Sequence, residues 1–131
     1  MTLRKVHFAV GLLGIVAFLA TGAYMRAGFP DLYAGNEVLR YLYRSNHVYI
    51  LLASLVNVAL GVHLAPAAPG WRATVLLAGS VLALAAPVVL CFAFFVEAPV
   101  AQPERVWTLA GVAALAAGIA LHALGGTGVR R

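Results

Sequence analysis

Residues 7–25 read HFAVGLLGIVAFLATGAYM and carry no Asp, Glu, Lys or Arg. At about 1.5 Å of rise per residue, nineteen residues of helix extend roughly 28 Å, enough to cross the hydrocarbon core of a bilayer. His7, Gly11, Gly14, Phe18, Thr21 and Met25 recur at alternating spacings of four and three, so a helix places them on one face. That face holds most of the polar and small residues of the stretch, while Leu, Ile, Val and Ala fill the rest. In lipid, such a stripe turns towards other helices. The stretch therefore predicts a membrane-spanning helix, and the remaining chain reads as its companions.

Composition agrees. The chain has 131 residues, of which 63% are hydrophobic and 10% charged, with a mean hydropathy of +0.95. A soluble domain is about a quarter charged. The net charge of +5 would suit nucleic acid, but that partner is rejected. Arg4, Lys5, Arg26, Arg40, Arg44, Arg72, Arg105, Arg130 and Arg131 all lie outside the apolar runs and bracket them, as membrane anchors do. The single Cys91 rules out an internal disulfide and a cysteine cage for a metal, and suits a small hydrophobic role. A cleaved signal peptide ending near Thr21-Gly22-Ala23 is the alternative for the N-terminus. Its apolar run is longer than a signal core of about 7–15 residues, so an uncleaved helix is preferred.

Taken in order, the apolar runs predict helices over about residues 7–25, 47–64, 72–96 and 105–124. Pro87 should kink the third. Asn36 to Arg44 (NEVLRYLYR) reads as a short interfacial helix capped by Asn36 that can run straight into the second span, with Glu37 and Arg40 paired one turn apart. Ala65–Trp71 and Glu97–Glu104 read as Pro-containing turns, and Gly125–Arg131 as a basic tail. The expected fold is all-α: a single four-helix up-down bundle over residues 1–131, integral to the membrane. Trp71, Trp107, Tyr24 and Tyr49 fall near helix ends, where amphipathic aromatics belong. Arg4, Lys5, Arg72, Arg130 and Arg131 lie on the side of the termini against four basic residues on the other. The expected setting is a bacterial inner membrane with both termini cytoplasmic.

No acidic or basic residue lies in mid-span. That argues against a proton-coupled transporter, which needs a membrane carboxylate, and against a small channel with an ionisable path. It also separates the chain from the four-helix multidrug exporters, which use a buried Glu in the first helix, and from the four-helix glutathione-linked enzymes. Four histidines, two methionines, Ser54, Asn57, Ser80 and Thr108 remain. On helix 2, His47, Ile50, Ser54, Asn57 and Gly61 form one stripe. His63 is roughly 24 Å from His47 along the axis and about 160° around it, so it faces away from Ser54 and Asn57.

On helix 4 the stripe is Thr108, Gly111, Leu115, Gly118 and His122. His7 and His122 thus lie on the polar faces of the first and last helices, at the same end of the bundle, and a closed ring of four would make those helices neighbours. Gly11 and Gly118 stand one turn from them. Two imidazoles flanked by glycines suit a b-type haem, with His7 and His122 as the metal ligands and the glycines as clearance for the macrocycle. Met25 and His47, at the other end, form a weaker pair for a second haem or a copper ion, with Arg26, Arg40 and Arg44 near for propionates or lipid phosphates.

Other readings stand beside these. A histidine at a helix end can be an interfacial anchor, the glycines can be helix-packing contacts, and Asn57 can be an interhelical hydrogen-bonding group. The layout of four spans with histidines near helix ends resembles the four-helix membrane haem proteins of the cytochrome b561 kind. No motif string carries that likeness further, and a two-haem pattern would need a second His pair. The expected function is electron transfer within the membrane through haem b, with a quinone or a membrane redox protein as partner. The alternative is a non-enzymatic subunit or scaffold without a cofactor, packing through its Ala/Gly-rich helices against a partner or a second copy.

Overall fold

A computed structural model of the chain describes residues 2–64, 70–100 and 104–126. Four α-helices account for most of them: α1 (Leu3–Ala27), α2 (Glu37–His63), α3 (Trp71–Val96) and α4 (Val106–Gly126), with one 3₁₀ turn at Asp31–Tyr33. All four are long and apolar enough to cross a membrane. Much of the two expected Pro-containing turns (65–69 and 101–103) and of the basic tail (127–131) lies outside the described residues.

The helix ends differ from the expected ones for local reasons. α1 begins at Leu3, so Arg4 and Lys5 ride on its first turn. Arg4 reaches across to the end of α2, donating from Nη2 to the Val62 carbonyl at 2.6 Å and from Nε to that of Gly61 at 3.3 Å. Carbonyls at a helix C-terminus have no partner in their own helix, and a cation there also suits the dipole. Asn36 caps α2 as expected, its side chain accepting from the amides of Val38 at 2.9 Å and Leu39 at 3.3 Å.

The short interfacial helix does not stop at Arg44; it is the opening of α2, which runs unbroken to His63. RYLYRSNHVY (40–49) contains no Gly or Pro to break it. Leu42, Tyr43 and Asn46 are buried on the same stripe as Ile50, Ala53, Ser54, Asn57 and Gly61. Replacing the cap, Asn36→Ala, should lower stability by about 1 kcal/mol, read as a lower midpoint of thermal unfolding in detergent.

Glycines decide which helices meet. A Cβ at Gly61 would lie 2.6 Å from the Phe8 amide nitrogen, and one at Gly11 would lie 2.6 Å from that of Val58, so α1 and α2 touch backbone to backbone. A Cβ at Gly118 would lie 2.9 Å from the Gly79 carbonyl oxygen, while Gly111 and Gly125 receive the side chains of Leu90 and Leu76. The α1–α2 and α3–α4 pairs are therefore tight, and both are antiparallel: the start of α1 meets the end of α2, and the start of α3 meets the end of α4. α2 and α3 join the pairs. Their seam is the driest part, with Ile50, Ala53, Ala83, Ala86, Leu90, Ala93 and Phe94 wholly buried.

The expectation that α1 and α4 are side-by-side neighbours needs correction. In the described residues α1 leans on α2 and partly on α3, and α4 on α3, but α1 and α4 are not packed along their lengths. Each already has a glycine-lined partner at close range. Leu13, Leu19, Val88 and Leu109 point outwards, a surface suited to hydrocarbon and unsuited to water.

A pair of anchored imidazoles as the candidate functional site

The site is built from Asn57. This side chain is fully buried on α2, and its amide nitrogen donates to the Ala53 carbonyl of its own helix at 2.9 Å and to the Ala83 carbonyl of α3 at 2.7 Å. A carbonyl can only accept, so both amide hydrogens are taken. The amide oxygen then faces His7 Nδ1 at 2.7 Å. An amide oxygen accepts too, so His7 Nδ1 carries the proton, and in the neutral ring Nε2 keeps its lone pair. His7 is wholly buried, and its Nε2 has no hydrogen-bond partner among the described residues.

His122 on α4 is anchored in the same way. Its Nδ1 lies 2.8 Å from the Gly118 carbonyl, one turn back, and must donate to it. Its Nε2 lies 3.1 Å from Ser80 Oγ on α3 and accepts from that hydroxyl. The two rings meet across the gap between α1 and α4 with centroids 5.9 Å apart and planes at 81°. The structure therefore brings together the two histidines that the sequence singles out. Each Nδ1–H is held by a protein oxygen and each Nε2 carries a lone pair. Metal-binding histidines typically show this arrangement, with the outer nitrogen anchored and the inner one directed.

The flanking glycines serve the helices. Gly11 closes on Val58 and Ser54, and Gly118 on Gly79 and Ala83. Open space lies elsewhere. Val10, Leu13, Gly14 and Ala17 of α1 and Pro87, Val88 and Cys91 of α3 line an apolar groove of about 290 Å³, open on one side. Val10, Gly14 and Ala17 follow His7 on one side of α1, and Pro87 and Cys91 follow Ser80 on one side of α3. The groove continues the faces of α1 and α3 that carry His7 and Ser80.

The second nominated pair is arranged differently. His47 stacks on Phe18 with centroids 4.0 Å apart, and its Nδ1 lies 2.9 Å from Thr21 Oγ1. Met25, one turn further along α1, lines a shallow surface cavity of about 520 Å³ with Arg26, Phe29, Tyr33 and Arg44. Arg40 pairs instead with Glu37 at 3.5 Å. His63 is exposed at the end of α2, away from buried Ser54 and Asn57.

Sequence reasoning missed a polar cluster at the opposite end. Glu97, at the end of α3, is buried and caps the start of α4: its carboxylate accepts from the Trp107 amide at 2.5 Å and the Thr108 amide at 3.0 Å. A carboxylate at a helix N-terminus also meets the favourable end of the dipole. Thr108 Oγ1 sits 2.6 Å from Glu97 Oε2 and 2.8 Å from Asn46 Oδ1. Arg105 donates to Asn46 Oδ1 at 2.6 Å and to Ser45 Oγ at 2.8 Å, and lies over the Tyr41 ring. One signal was available, since Asn46 stands one turn before Ile50 on the buried stripe of α2. Thr108→Val removes one hydroxyl donor from the buried cluster, while Glu97 Oε2 keeps the Thr108 amide and Asn46 Oδ1 keeps Arg105, and should cost about 1 kcal/mol. Thermal unfolding measures this, and the ring nitrogens of His7 and His122 should be unchanged in nitrogen-15 spectra.

Among the described residues no group of three or more His, Cys, Asp or Glu could hold a metal ion, so the histidine pair offers two protein ligands. No protein-family model, curated protein or solved structure matches the chain.

Proposed function

We propose that the protein is an up-down bundle of four membrane spans that binds one b-type haem between His7 and His122 and passes electrons within the bilayer. One observation carries the reading: two half-to-fully buried imidazoles, both anchored at Nδ1 and both with lone pairs at Nε2, have ring centroids 5.9 Å apart. A haem held there would take His7 Nε2 and His122 Nε2 as its two protein ligands.

The residues fit such a group in three respects. His7 Nε2 is a buried lone pair awaiting a partner. His122 Nε2 is held by a single hydroxyl, that of Ser80, which a metal bond would replace. The apolar groove between α1 and α3, on the face of α1 that carries His7, gives a flat ring an approach from the lipid side. When bound, haem supplies one-electron exchange. The chain orients the two imidazoles, fixes their tautomers and keeps water from His7. A quinone or a membrane redox protein is the fitting electron partner for a site enclosed by lipid-facing helices.

Titration of detergent-purified protein with hemin tests the proposal. The expected result is a saturable Soret band shift at one haem per chain. A shift that grows linearly without saturating would overturn it.

A second reading, a non-enzymatic subunit, is favoured by the outer face of α4. Ala110, Ala113, Ala117 and Ala120 are exposed there at helical spacing, and small side chains allow another helix to approach closely. Gly111 and Gly118 are taken up by α3 within the chain, so the alanines are the contact available. Sedimentation in detergent tests it: a dimer lost in Ala113→Leu/Ala117→Leu supports this reading, and a monomer in both proteins removes it.

A further inference from the structure

We propose that Pro87 is a positioning residue for His7, acting through the Ala83 carbonyl and Asn57. Its meaning for a bound metal rests on the haem reading above, while the hydrogen-bond logic stands on the chain's own atoms. In a regular α-helix the Ala83 carbonyl accepts from the amide four residues on. In α3 that residue is Pro87, which has no N–H. Ala83 is wholly buried, so its carbonyl needs another donor. Asn57 supplies one from α2 at 2.7 Å.

The consequence runs back to α1. Asn57 is clamped between two carbonyls on two helices, Ala53 and Ala83, so its amide cannot turn over. Its oxygen is left pointing at His7, and only the Nδ1–H tautomer satisfies it. Pro87 thus does more than bend α3: the hydrogen bond it withholds determines which nitrogen of His7 is offered to the core. The anchor is an amide, whose oxygen can only accept, so the proton it faces stays on Nδ1.

Pro87→Ala restores the amide that competes for Ala83 and should release Asn57. Asn57→Leu removes the anchor outright and serves if the proline variant does not fold. The experiment is nitrogen-15 spectroscopy of histidine-labelled protein in detergent, without haem, with His122 as internal reference. In the wild type, His7 should give one protonated and one unprotonated nitrogen. In either variant its two signals should average towards each other, with His122 unchanged. A wild-type His7 already averaged, or a variant His7 identical to a fixed wild type, overturns the proposal. Hemin titration of the same samples separates the two readings: a tenfold or greater weakening in the variants is expected if both hold. A fixed wild-type tautomer that is lost in the variants, with no saturable hemin binding by any sample, leaves the positioning role standing and removes the haem.

Discussion

His7→Ala is expected to weaken hemin binding a hundredfold or more and to abolish saturation at one haem per chain, with a smaller loss for His122→Ala. The asymmetry follows from the surroundings. His7 Nε2 is wholly buried and unpartnered, so a metal bond there gives up no hydrogen bond. His122 is half-buried and must first give up the Ser80 hydroxyl. Loss of His122 should leave iron held by His7 alone, with a high-spin spectrum in place of a low-spin one. His7→Ala should also reduce stability, since Asn57 Oδ1 loses its donor at a cost of about 1–3 kcal/mol. Thermal unfolding of the haem-free protein separates that effect from the loss of the ligand. Unchanged affinity in His7→Ala would remove the imidazole pair as the binding site.

Gly61→Leu is expected to be the most damaging substitution in the fold. A Cβ at this position would lie 2.6 Å from the Phe8 amide nitrogen and 2.7 Å from its Cα, and backbone cannot rotate aside as a side chain can. α1 must move away from α2 as a body. The movement would break the Arg4 contacts to Gly61 and Val62 and stretch the hydrogen bond from His7 to Asn57, one turn along α2. A loss of about 3 kcal/mol or more is expected, read as a large fall in the unfolding midpoint and loss of saturable hemin binding. Gly126→Ala is the control: a Cβ there meets nothing within 4 Å, and the midpoint should hardly change.

The four spans were legible because lipid demands long uncharged runs, and the buried faces because small and polar residues recur along them at helical spacing. The burial of the start of α2 was not. Arg40, Arg44 and three tyrosines between 41 and 49 look like headgroup anchors, yet Tyr43 is buried against Phe94. Meeting of the two histidines could be read from their faces and common end, but their anchors could not. Asn57 reaches Ala83 only because α2 and α3 pack at that level, and the freed carbonyl follows from Pro87, which the sequence marks only as a kink. The glycine stripes announced close contacts without saying with which helix, so Gly11 and Gly118 looked like room for a macrocycle while they serve α2 and α3. Glu97 escaped notice because it caps a helix that begins nine residues later in the chain, a contact no local pattern records.

The proposed haem site requires that both imidazoles hold one iron. Low-temperature electron paramagnetic resonance of the ferric protein, purified from haem-replete cells, tests it most directly. The expected result is a low-spin signal from two imidazole ligands, one iron per chain, absent in His7→Ala and replaced by a high-spin signal in His122→Ala. A protein that carries no iron when haem is supplied, or a low-spin signal that survives both substitutions, would contradict it.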